Sequence, residues 1–91
     1  MPDQHIKNID THLARLQWAC RRGMLELDVL LGNFLKGAYS NLPETEKQQF
    51  ESLLDEPDPL LFAWLTGQKK PEDESMLMIT EKIRNYAKSQ F

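Results

Sequence analysis

Between Trp18 and Asp28 the sequence WACRRGMLELD places two guanidiniums, Arg21 and Arg22, and two carboxylates, Glu26 and Asp28, around Gly23. A guanidinium can hold a carboxylate through two parallel hydrogen bonds, and a glycine lets another backbone approach unhindered. That is docking chemistry. The same residues also serve as helix punctuation: Gly23 suits a left-handed terminator, the arginines complement the negative end of the preceding helix, and the acids favour the positive start of the next. Either arginine alone would serve the dipole, so two readings stand side by side: punctuation, and a partner-binding corner built on Arg22, Gly23 and Glu26.

Other residues capable of chemistry are sparse. His5 and His12 lie seven apart, two turns of one helix, which is too far for an i, i+4 grip on one metal ion. Cys20 is the sole cysteine, so neither an internal disulfide nor a multi-thiolate metal site is available, and it reads as a small buried hydrophobe. Glu44, Glu46, Glu51, Asp55, Glu56 and Asp58 read as solvated helix charges rather than an acid-base pair. There is no glycine-rich phosphate loop and no nucleophile elbow, so no catalytic residue and no metal site is expected. The net charge of −3 and a pI near 5.3 surround the chain with a field that repels phosphate, which favours a protein partner over nucleic acid.

The elements that must position the corner are helical. Apolar residues recur at Ile6, Ile9, Leu13, Leu16 and Cys20, and again at Leu27, Leu30, Leu31, Phe34, Leu35 and Ala38, in steps of three and four. GAYSNLP then collects turn formers, and a third helix is predicted from about Pro43 to Asp55 with Phe50, Leu53 and Leu54 inward. In EPDPLLFAWLTG, Asp58 suits a cap, Pro59 a first helical position and Gly67 a terminator, giving a short apolar helix. On that helix Leu61 and Leu65 mark the inner face, which places Trp64 inward and Phe62 at the rim. A last helix opens with Glu72, Asp73 and Glu74, presents Met76, Ile79, Ile83, Tyr86 and Ala87, and carries Lys88 near its end. No stretch alternates with period two. The expected fold is all-α, a compact five-helix bundle forming a single domain over residues 1–91. Hydrophobic residues at 41 % and charged residues at 27 % fit a chain that folds unaided. No apolar run approaches the roughly 20 residues needed to span a bilayer, and MPDQHIKNID lacks a basic segment followed by a greasy one, so the chain reads as soluble and cytoplasmic without membrane insertion.

The residues now carry a resemblance. Arg22, Gly23 and Glu26 resemble the RGxxE signature of the small assembly factors that promote covalent attachment of FAD to the flavoprotein subunit of succinate dehydrogenase. The likeness continues with Phe34, a leucine-rich third helix, and a D-P-x-L-[FW]-x-W-L element matched by Asp58, Pro59, Leu61, Phe62, Trp64 and Leu65. It covers about Leu16 to Pro71. Pro43 departs from the pattern, standing where Ser or Thr is expected as a helix cap.

The resemblance implies a monomeric, non-enzymatic helical protein that binds the succinate dehydrogenase flavoprotein, with the fumarate reductase flavoprotein a similar client. FAD and the client's own histidine then supply the covalent chemistry, and this chain holds no cofactor tightly. The expected partner-binding residues are Arg21, Arg22, Gly23, Glu26, Asp28, Asp58 and Phe62, with Arg22 gripping a client carboxylate. Relatives of this family have also been labelled antitoxins against a small membrane toxin, which gives the alternative of a neutralising binding module.

Overall fold

The computed structural model describes the backbone of residues 3–90 and the side chains of residues 11–90. Five helices follow one another: α1 (Asp3–Ala19), α2 (Leu25–Gly37), α3 (Glu44–Leu53), α4 (Asp58–Leu65) and α5 (Glu74–Gln90). No strand occurs among the described residues, so the all-α expectation is met. One 3₁₀ turn, Tyr39–Asn41, lies where only turn residues were expected, and it buries the Tyr39 ring.

The apolar stripes of α2, α3, α4 and α5 face one shared core. Leu27, Leu31, Phe34 and Leu35 of α2 meet Phe50, Leu53 and Leu54, and α4 and α5 add Leu61, Trp64, Leu65, Ile79 and Ile83. The Phe34 ring stands 5.4 Å from Phe50 and edge-on to Tyr86 at 5.7 Å, arrangements that add to simple area burial. Helix α5 packs on α2, α3 and α4 together. Its Tyr86 hydroxyl lies so close to the Gly37 backbone that a Cβ there would fall 1.7 Å from the oxygen.

Several expectations are corrected. Leu13 is 43 % exposed, because among the residues whose side chains are described α1 reaches the core at Leu16 and Ala19, with Cys20 just beyond it. The side chains of Ile6, Ile9 and His5 lie outside the described residues. Pro43 occupies the cap position of α3 and not its first turn. Likewise Pro57 holds the cap position of α4, and Asp58 is the first helical residue with no capping hydrogen bond of its own. The charge run is not uniformly solvated: Glu46 pairs with Lys82, Glu51 accepts from the Tyr39 hydroxyl at 2.6 Å and lies 3.5 Å from His12 Nε2, and Asp58 pairs with Arg22. Among the described residues no helix is long and apolar enough to cross a membrane.

Candidate functional site

The corner between α1 and α2 turns on two backbone facts. Gly23 has φ +85°, the left-handed conformation expected of it, and a Cβ there would meet nothing within 4 Å. The bare backbone is therefore open to an approaching surface. Directly beside it, Asp28 Oδ1 accepts the Arg22 backbone N–H at 2.5 Å, which closes the turn into the start of α2.

The Arg22 side chain points inward, contrary to the expected grip on a partner carboxylate. Nε donates to Asp58 Oδ1 at 2.7 Å, Nη1 donates to the carbonyls of Ala19 and Leu54 at 2.8 Å each, and Nη2 donates to Glu56 O at 2.7 Å. Four of the five guanidinium N–H groups are thus spent within the fold. Ala19 ends α1 and Leu54 follows α3, so one cation satisfies carbonyls at two helix C-termini, where positive charge is favoured. Asp58 in turn prefers this charged donor to the neutral amides of α4. Arg22, Asp28 and Asp58 therefore form the frame of the corner, joining α1, the α3–α4 turn and α4.

Outside that frame stands an apolar groove. Met24, Leu25, Glu26, Val29, Leu30 and Phe62 line it, and Leu25 is 80 % exposed. Glu26 has no hydrogen-bond or ion-pair partner among the described residues, so the charge lining the groove is negative. Phe62 is half-buried at the rim while Trp64 is buried, the division expected from their spacing. Trp18, at the end of α1, is 71 % exposed with the Arg21 guanidinium 5.5 Å from its ring centroid. Gly23, Glu26 and Phe62 thus border open surface, Arg21 lies on the neighbouring α1 side, and Arg22, Asp28 and Asp58 support them from within.

Sequence reasoning did not single out Met24, Leu25 and Val29. Leu25 and Val29 sit four apart on α2 and off its core stripe, and that second apolar line is the signal that marks them. Nothing in the corner is reactive: Cys20 is buried, and burial pushes its thiol up to about 11. No group of acids, histidines and cysteine among the described residues is arranged to hold a metal ion.

A family model described as flavinator of succinate dehydrogenase matches residues 14–87. The FAD assembly factor SdhE of Coxiella burnetii is 47 % identical over 70 residues, covering 77 % of this chain and 85 % of that protein. The FAD assembly factor SdhE of Legionella pneumophila is 49 % identical over 72 residues, 79 % of this chain and 90 % of its own. That of Idiomarina loihiensis reaches 55 % over 62 residues, 68 % and 69 % of the two chains.

Proposed function

This chain belongs to the family of flavinators of succinate dehydrogenase, and on that premise we propose that it binds the flavoprotein subunit and promotes its covalent attachment to FAD. The observation that carries the reading is the open Gly23 backbone beside Glu26, unpartnered among the described residues, in an exposed apolar groove. Exposed Leu25 and Val29 with half-buried Phe62 supply the apolar area, Glu26 supplies polarity and register, and Gly23 permits close approach. Arg22, Asp28 and Asp58 act by fixing the corner's shape, and Arg21 lies beside it. The fumarate reductase flavoprotein is proposed as a similar client, and the chain as a cytoplasmic monomer in its free state.

The groove does not fit FAD itself. Its one charged lining group is the Glu26 carboxylate, which repels a diphosphate, and no glycine-rich loop offers amides to it. In this reading FAD is cargo of the client. The factor contributes geometry and not catalytic groups: preferring one client conformation by about 3 kcal/mol changes its population ratio more than a hundredfold. The antitoxin alternative gains no support from the relatives named above.

Coexpression with the flavoprotein subunit tests the reading. Expected are co-purification of the two chains and stronger flavin fluorescence in the denatured flavoprotein band than without the factor. Equal covalent flavin in both cultures, with no co-purification, overturns it.

A further inference from the structure

A second cleft lies beside the Arg22 corner, lined by Cys20 and Arg21 on one side and by Gly32, Leu35 and Lys36 of α2 on the other, with Asp28 adding a carboxylate. Gly32 is the unusual member. Among the four glycines, Gly23 and Gly67 take left-handed backbone, and Gly37 leaves room for Tyr86. Gly32 has neither reason: it sits inside α2, where glycine is less stable than alanine, and a Cβ there would meet nothing within 4 Å. No internal neighbour requires the bare backbone, which faces free space.

Two exposed cations also border the cleft. The Arg22 guanidinium is spent inward, whereas Arg21 and Lys36 are exposed and neither is paired with an acid among the described residues. Asp28 sets one carboxylate against them, held in place by the Arg22 backbone N–H, so the cleft keeps one positive charge in excess. On a chain of net charge −3 this sets Lys36 and the Trp18-stacked Arg21 on either side of bare helix backbone. A basic partner would meet like charge there, and an apolar one would strip water from both cations without repayment.

We propose that this cleft receives an acidic segment of the client flavoprotein, its carboxylate meeting Arg21 and Lys36 and its chain lying against Gly32. The assignment rests on the reading that the chain binds a flavoprotein. It gives this face the opposite charge preference from the Glu26 groove, so that the two together fix the client's orientation.

Titration calorimetry of the full chain with purified flavoprotein subunit tests it, using Lys36→Glu and Gly32→Leu. Lys36→Glu is expected to weaken binding about tenfold and to reduce its salt dependence. Gly32→Leu is expected to raise Tm, since leucine is the better helix former, while weakening binding to a similar degree. Those opposite signs separate a docking role from a structural one. Parent-like affinity in both variants overturns the cleft assignment and leaves the proposed function intact, whereas no binding by the parent chain overturns both. Sedimentation of the chain alone provides a further check: a parent dimer that Lys36→Glu dissociates assigns the cleft to a second copy and overturns the client assignment.

Discussion

Arg22 and Asp58, thirty-six positions apart, are joined by a 2.7 Å hydrogen bond from Nε to Oδ1 that fastens the α1–α2 corner to the first turn of α4. The Arg22 side chain is 15 % exposed, so water screens the pair only partly. Because the same guanidinium also serves Ala19, Leu54 and Glu56, removing it leaves a carboxylate and three carbonyls without their donor.

Arg22→Ala is therefore expected to destabilise the bundle by about 2–4 kcal/mol, well beyond the roughly 0.3–1 kcal/mol of a helix-end charge. Arg22→Lys should recover little, since a point charge cannot reach four acceptors in a planar fork. Urea unfolding of both variants decides this, and a parent-like midpoint for Arg22→Lys refutes the frame role. Loss of client binding in Arg22→Ala must then be read against the folded fraction.

Gly23 separates shape from contact. Gly23→Ala at φ +85° is expected to cost about 1 kcal/mol with no clash, because the space over it is open. Gly23→Arg carries a similar backbone cost but places a long side chain on the approach surface, so it should abolish flavoprotein binding in a chain that still folds. Circular dichroism paired with calorimetric titration tests both statements, and full affinity in the folded arginine variant removes Gly23 from the interface.

Trp64 and Phe62 should part in the same way. Trp64 is 8 % exposed within the shared core, and truncating a buried tryptophan typically costs about 3–5 kcal/mol. Phe62 lines the groove, so Phe62→Ala should lower stability less and weaken client binding more. Denaturation midpoints that fall equally for the two variants contradict this division.

Much of this architecture is legible in sequence because helical stripes are local. Leu27, Leu31 and Phe34 announce an inner face by spacing alone, and glycine at positions 23 and 67 announces left-handed termini, both found at φ +85°. The orientation of Arg22 is not legible that way. Its acceptors Leu54, Glu56 and Asp58 lie 32 to 36 residues away, and no local period encodes which helix ends converge. Nor does a three-residue 3₁₀ turn leave a period to read, so Tyr39 gave no sign of burial beside Phe50. Leu13 misled for the opposite reason: it keeps the helical spacing of Leu16 and Cys20 but is exposed where they are buried.

Gly37 offers a test of packing alone. Since a Cβ would fall 1.7 Å from the Tyr86 oxygen, Gly37→Ala must displace that ring from Phe34 and is expected to destabilise by about 1–3 kcal/mol. Tyr86→Phe removes the crowding oxygen, so combining it with Gly37→Ala should recover part of the loss in thermal unfolding. Strict additivity of the two changes argues against the contact.

Cys20 supplies one part of the alkaline pH dependence, beside Tyr39, whose hydroxyl is also pushed up by burial and by its bond to Glu51. Burial is the largest cause holding its thiol near 11 against an ordinary value of 9.0, outweighing the nearby Arg22 charge, which acts the other way. In the unfolded chain the thiol loses its proton first, so between pH 9 and 11 the folded state holds more protons and stability falls as pH rises. Below pH 9 both states keep the proton and no slope arises from this group. The full loss is of order 2–3 kcal/mol, approached as pH reaches the folded value. Cys20→Ala should remove this part of the slope while lowering stability at pH 7 through lost packing. Urea midpoints at pH 7, 9 and 10.5 for parent and variant test this, and parallel curves for the two chains exclude the thiol as the source of the alkaline decline.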